Sequence, residues 1–324
     1  MVVLEHNVTI TINPGLTLNP GTYIALTPLS LVTNGILLNF DAASYTGQTT
    51  GPQQNVSGTS DNIGFFPYGW DTAPPTGFGN IQPGWVCDQT GAVVTVVDAI
   101  SHVITTVGTP FASGNAYTFT GPWIDGVNGV LATPYNVPAW SSDNGGTFLL
   151  TAPAVQYFSV PWPTFQPTFT IDMWFNFTDN QAGDNPCLLS DEFTGAPFNF
   201  TINASADKLL TGWYTTNWTG QYADNNVGAP LVHDGSTWYN LIMSVGATEY
   251  KDYINGAVSY APGNFGGGAA PNGSSPTQRF FIGHRWDLEQ TVNAKIAVVN
   301  IYDRALSDAE AAQNFAHYKA RFGL

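Results

Sequence analysis

The last 87 residues of the 324-residue chain constrain its architecture most, because they read as successive β segments closed by a capped helix. WYNLIMSV (238–245) leads into YKDYINGAVSY (250–260), where Asn255 and Gly256 both tolerate positive φ between alternating residues. A two-residue type I′ turn demands that tolerance. FFIG (280–283) is a further short strand. KIAVVNIY (295–302) carries apolar side chains on both faces, Ile296 and Val298 on one and Ala297, Val299 and Ile301 on the other. Such a strand belongs inside a sheet covered from both sides. Ser307 and Glu310 then have the spacing of a capping box, in which each side chain satisfies an orphan backbone donor. Ala311, Phe315, Tyr318 and Phe322 form one stripe of a short helix, Lys319 and Arg321 complement the negative end of its dipole, and Gly323 ends it.

These and other segments resemble a known family. GTFLLTAPAVQYFSVPWPTFQPTFTIDMWFNF (146–177), STWYNLIMSV, YINGAVSY, FFIGHRWD and AKIAVVNIYDRALSDAE look like the laminin-G-like, concanavalin-type lectin and glucanase jelly rolls, closest to versions found in bacteriophage structural proteins. NGILLNFDAASYTG (34–47) resembles the first strand of those phage versions, and VNGVLATPYNVPAWSSDNGGTF (127–148) the segment leading into the next. The resemblance implies an all-β protein: a concanavalin-like antiparallel β-sandwich (jelly roll) over residues 34–324, with a β-rich insertion and a short C-terminal helix. Because this fold hosts unrelated functions, it says little about a ligand.

The insertion spans residues 48–120. GFFPYGWDTAPPTGFGNIQP (64–83) is dense in Gly, Pro and aromatics and predicts an irregular packed loop. The following stretch alternates as a β-hairpin, with Val94, Val96 and Asp98 on one face, Val93, Thr95 and Val97 on the other, and 103–107 answering them. It is an elaboration of the jelly roll or a separate small domain. Residues 1–33, with the related pieces INPGL and LNPGT, read as an N-terminal β arm pairing with its own body or with a neighbouring subunit.

Composition agrees with an all-β body. Only 10% of residues are charged, and Thr, Asn, Gly, Pro and aromatics take the places a helical protein gives to Glu, Lys and Ala. All eight Lys and Arg lie between Lys208 and Arg321, whereas residues 1–207 hold fourteen acidic residues and no basic one. A net charge of −15 repels phosphate, which argues against nucleic acid and anionic membrane surfaces as partners. Apolar runs are broken by Asp98, Asn300 or Gly well before the roughly 20 residues of a spanning helix. MVVLEHNVTI lacks the basic region and apolar core of a secretory signal, so the expected route outward is host lysis. Cys87 and Cys187 form no disulfide framework and have no zinc-site spacing; they read as small apolar fillers, their pairing left open.

Glucanases of the resembled superfamily use carboxylates in a Glu-x-Asp-x-Glu arrangement, since retaining hydrolysis needs two carboxyls about 5 Å apart. The chain has no such triplet: Asp191 and Glu192 are adjacent, and Asp287 and Glu289 fall in a loop. No enzyme is expected. The related pentraxin-like lectins hold calcium between two loops, and the matching positions here are Asp184 and Asn185 with Asp287 and Glu289, although His284, Arg285 and Trp286 depart from the pattern. Solvated loop residues are the alternative. LLTGWYTTNWTGQYADNN places Trp213, Tyr214, Trp218 and Tyr222 amid amides, hydroxyls and a carboxylate, a composition suited either to sugar stacking or to packing. Three function classes follow. The first is a non-enzymatic virion structural protein, such as a capsid decoration, head fibre or tail fibre component, displayed on the virion surface and homo-oligomeric, with a trimer expected. The second is a lectin-like module for host-surface glycan. The third is a polysaccharide-degrading enzyme.

Overall fold

Ala294–Tyr302 is the hub around which the strands assemble. On one side it pairs with Phe169–Phe177, and on the other with Thr147–Leu150 and Ile36–Asp41 placed end to end, all antiparallel. The structure is a computed structural model that describes residues 30–45, 48–49, 65–69, 85–87, 90–98, 103–107, 119–136, 138–161, 168–178, 186–191, 198–203, 208–214, 220–223, 231–261, 279–285 and 291–324. Beyond Phe169–Phe177 the first sheet continues through Tyr239–Val245, Tyr250–Ile254 and Ala257–Tyr260, and beyond Thr147–Leu150 it ends with Ala139–Ser141. A second sheet runs, in spatial order, Gly220–Ala223, Lys208–Tyr214, Phe198–Asn203, Cys187–Asp191, Arg279–Ile282, Tyr157–Pro161, Leu131–Tyr135 and Trp123–Ile124. The two are the layers of a concanavalin-like antiparallel sandwich.

Alternate residues of both sheets meet in one core: Phe40, Phe148, Ile171, Met173, Phe175, Met243, Val299 and Ile301 from the first, and Trp123, Phe158, Val160, Leu189, Phe280 and Ile282 from the second. Trp123 joins them, its ring centroid 5.0 Å from Phe148 and 5.5 Å from Phe158. The helix Asp308–Tyr318 covers the other face of the first sheet, where Trp174, Trp238, Ala297 and Val298 pack under Phe315, Tyr318 and Phe322. Trp174 stacks on Phe322 at 4.5 Å. Coverage from both sides is why every residue of Phe169–Phe177 is buried.

The hub strand is two-sided as the sequence predicts, but its faces differ from strict alternation. Trp174 pairs with Val298 and Phe175 with Ile296, so Ala297 is an extra residue, a β-bulge. Ile296 therefore shares the core with Val299 and Ile301, while Ala297 and Val298 both turn to the helix. The helix start is as expected: Ser307 Oγ accepts from Glu310 N, and Ser307 N donates to Glu310 Oε2 at 2.9 Å. At the hairpin, Asn255 and Gly256 have φ of 51° and 74°. Gly256 is required twice, since a Cβ there would lie 2.7 Å from the Phe315 ring.

All strands of a third, six-stranded sheet come from residues 48–120. The hairpin Val93–Asp98 with Val103–Val107 forms, with a register shift between Val94 and Val96 that interrupts the alternation read from sequence. Phe65–Gly69, within the stretch predicted as irregular loop, is instead a strand paired with Val103–Val107. It tolerates Pro67 because it lies at the sheet edge, where one row of donors is not needed. Most of the arm, 1–29, lies outside the described residues; its root is tied down by Val32 N donating to Asn314 Oδ1 at 3.0 Å and Tyr302 Oη donating to Val32 O at 3.1 Å. Cys87 and Cys187 are both buried.

Candidate functional site

Lys208–Tyr214 and Gly220–Ala223 form one free end of the second sheet. Their register pairs Thr211 with Ala223, Gly212 with Tyr222, Trp213 with Gln221 and Tyr214 with Gly220. Three of the four aromatic candidates thus occupy neighbouring register positions, and Trp218 lies outside the described residues.

Thr211 anchors this edge. It is buried, and its Oγ1 donates to Asp252 Oδ2 at 2.6 Å, while Tyr250 Oη donates to the same oxygen at 2.6 Å and also contacts Thr211 Oγ1. Asp252 and Tyr250 belong to the first sheet, so this cluster crosses the sandwich and latches the aromatic edge strand to the opposite layer. Burial raises the Asp252 carboxyl to about 7. Sequence reasoning missed the latch, although alternation from Tyr250 already puts Asp252 on the inward face with Ile254.

A second buried carboxylate lies on the helix side of the first sheet. Asp172 accepts from Asn240 Nδ2 at 2.7 Å, Asn314 Nδ2 at 3.0 Å and Asn300 Nδ2 at 3.1 Å. Asn39, Asn300 and Asp172 are direct cross-strand partners on three adjacent strands, and Asn39 Nδ2 donates to Asn300 Oδ1 at 2.6 Å. Asn314 carries the network into the helix and, through Val32, to the root of the arm. Burial pushes the Asp172 carboxyl up to about 6, against the lowering effect of its three amide donors. Asp172 and Asp252 open on opposite faces of one sheet, so no single sugar ring lies between them as a hydrolytic pair requires.

The calcium candidates Asp184, Asn185, Asp287 and Glu289 all lie outside the described residues. The strands that flank their loops, Cys187–Asp191 and Arg279–Ile282, are neighbours, and Gly283 N donates to Leu188 O at 2.7 Å, so both loops leave the same end of the sheet. His284, which stands where the calcium lectins place an oxygen ligand, is fully buried with its ring 4.8 Å from that of Tyr157. Its side chain offers an ion no oxygen. Among the described residues no group of three His, Cys, Asp or Glu is arranged to hold a metal, and no helix is long and apolar enough to cross a membrane.

The profile of the family described as the concanavalin A-like lectin/glucanases superfamily matches residues 144–312, more than half of the chain. Among solved structures, the receptor-binding domain of botulinum neurotoxin mosaic serotype C/D is similar at 11% identity and a TM-score of 0.44, over 62% of this chain and 48% of that one. Domain 4 of the extracellular arabinanase AbnA from Geobacillus stearothermophilus, solved with arabinotriose, is similar at 14% identity and a TM-score of 0.47, over 59% of this chain and 91% of that one. The binding domain of Paraclostridial Mosquitocidal Protein 1 is similar at 14% identity and a TM-score of 0.46, over 59% and 48%. The chain thus spans about half the length of two of these three. Among curated proteins none matches the sequence.

Proposed function

The chain belongs to the concanavalin A-like lectin/glucanases superfamily, and we propose that it is a non-enzymatic virion structural protein whose lectin-like sandwich is displayed for subunit contacts and for adhesion to host-surface glycan. The observation that carries the adhesion reading is the latched aromatic edge: Trp213, Tyr214 and Tyr222 occupy adjacent positions on strands whose inward anchor, Thr211, is bonded across the sandwich to Asp252. A strand fixed in this way needs little ordering on binding. The virion reading is supported by the likeness of residues 34–47 and 127–148 to phage versions of the fold. The third sheet, drawn wholly from 48–120, supports treating that segment as an elaboration of a jelly roll over 34–324, with 1–33 as an arm.

Mass spectrometry of purified particles tests the virion assignment: peptides of this chain at a fixed ratio to a major structural protein are expected, and their absence contradicts it. Assembly is tested separately by light scattering on the purified full chain. A trimer is expected, from the low charge and high aromatic content that interfaces favour. A monodisperse monomer at micromolar concentration would remove that part of the account.

A further inference from the structure

The opposite end of the second sheet carries an aromatic feature that the Trp213–Tyr222 edge does not use. Tyr135 pairs directly with Tyr157 across neighbouring strands, and their rings stack with centroids 4.6 Å apart and planes 19° from parallel. Tyr157 is buried and is braced in turn by Phe281, edge-on at 5.2 Å, and by the His284 ring at 4.8 Å. Tyr135 itself is 49% exposed. One face of its ring is covered by Tyr157 and the other meets solvent.

The backbone around this pair is held in an unusual way. Asn136 and Val155, each next to or one residue from the stacked tyrosines, both lie in the left-handed region, with φ of 47° and 50°. A β-branched residue there is strained and persists only where its surroundings over-determine it. Asn136 Nδ2 donates to Ala154 O at 2.9 Å, Gln156 Nε2 donates to Asn136 O at 2.9 Å, and Gln156 Oε1 accepts from Thr151 N at 3.0 Å and Thr151 Oγ1 at 2.8 Å. The result is a flat aromatic face, backed by a buried aromatic tier and clamped at its rim. Thr133 lies two residues away along the same strand and is half-buried.

We propose that the outward face of Tyr135 is a stacking subsite for a neutral pyranose ring. The apolar C–H face of a sugar suits one open π-face, and a preordered tyrosine supplies that contact at low entropic cost. The net charge of −15 disfavours acidic sugars. A protein partner would need about 800 Å² per side, far more than one ring offers. The subsite rests on the glycan-adhesion reading for its ligand class, but not on the aromatic edge. The strand of Tyr135 is five steps from Lys208–Tyr214 and six from Gly220–Ala223, roughly 24–29 Å across the sheet.

The test is calorimetric titration of the full chain with neutral gluco-, xylo-, manno- and arabino-oligosaccharides to millimolar concentration, using wild type, Tyr135→Ala, Tyr135→Phe and the double variant Tyr214→Ala/Tyr222→Ala. Because Tyr135 is half exposed, its truncation leaves the core intact, which circular dichroism checks. The expected result is binding by wild type, a loss of roughly tenfold in Tyr135→Ala, near-wild-type affinity in Tyr135→Phe, and a persisting component in the double variant. Binding abolished only by the double variant overturns the subsite while leaving adhesion through the edge standing. Loss only in Tyr135→Ala supports the subsite and sinks the edge. No binding by wild type overturns both, and a Tyr135→Ala effect on sedimentation instead of sugar affinity assigns the face to a second copy and overturns the proposal.

Discussion

Asp172 and Asp252 are raised by burial to about 6 and about 7, above the ordinary 3.8 of an aspartate. A carboxyl raised in the folded state favours folding when protonated, so its contribution is complete below 3.8 and is lost as pH climbs through the folded values. For Asp172 that loss is on the order of 3 kcal/mol. Glu310 has the opposite sign: its Arg304 partner holds it down to about 2, and its contribution is present above 4.5 and disappears as pH falls toward 2. Thermal stability set by these three groups is therefore expected to peak near about pH 4 and to decline until about pH 7. Calorimetric melting across that range checks it, and a maximum at pH 8 contradicts it. Asp172→Asn should flatten the slope without unfolding the protein. Among the described residues the buried Asn240 Oδ1 has no hydrogen-bond partner, and a flip of that amide would accept from the new side chain.

At the scale of elements, the helix and hairpin that close the chain make two further expectations. Ser307→Ala removes one half of the capping box and should cost about 1 kcal/mol in denaturant unfolding. Gly256→Ala should cost more, because it meets both the positive φ of 74° and the Phe315 ring at 2.7 Å; a smaller loss than Ser307→Ala would show that the helix end yields. Both elements were legible in sequence because their chemistry is local: Asn255-Gly256 and Ser307-x-x-Glu310 specify their geometry within a few residues. The bulge at Ala297 was not, since an extra residue in a ladder leaves no trace in an apolar run and shows only against the partner strand. Phe65–Gly69 was hidden likewise, because Pro67 reads as a loop signal until an edge position makes it harmless. Asp172, Asn300 and Asp252 were visible as polar residues in apolar strands, but which face they take, and which partners meet them, depends on strands far away in the chain.

For the whole molecule, the sandwich follows from short alternating strands, sparse charge and the two-sided hub Ala294–Tyr302, whose burial demands a layer on each face. The candidate site was legible as composition, through the aromatics of 213–222. Its anchoring was not, because Thr211 and Asp252 are joined only when the two sheets stack. The latched edge and the lack of a Glu-x-Asp-x-Glu triplet make binding without cleavage the central proposal. Native mass spectrometry of the full chain incubated with an oligosaccharide that it retains on a glycan array tests that claim most directly. The account predicts a complex carrying the oligosaccharide at its full mass after prolonged incubation. Shortened sugar in complex or in solution, or the absence of any retained sugar on the array, would contradict it.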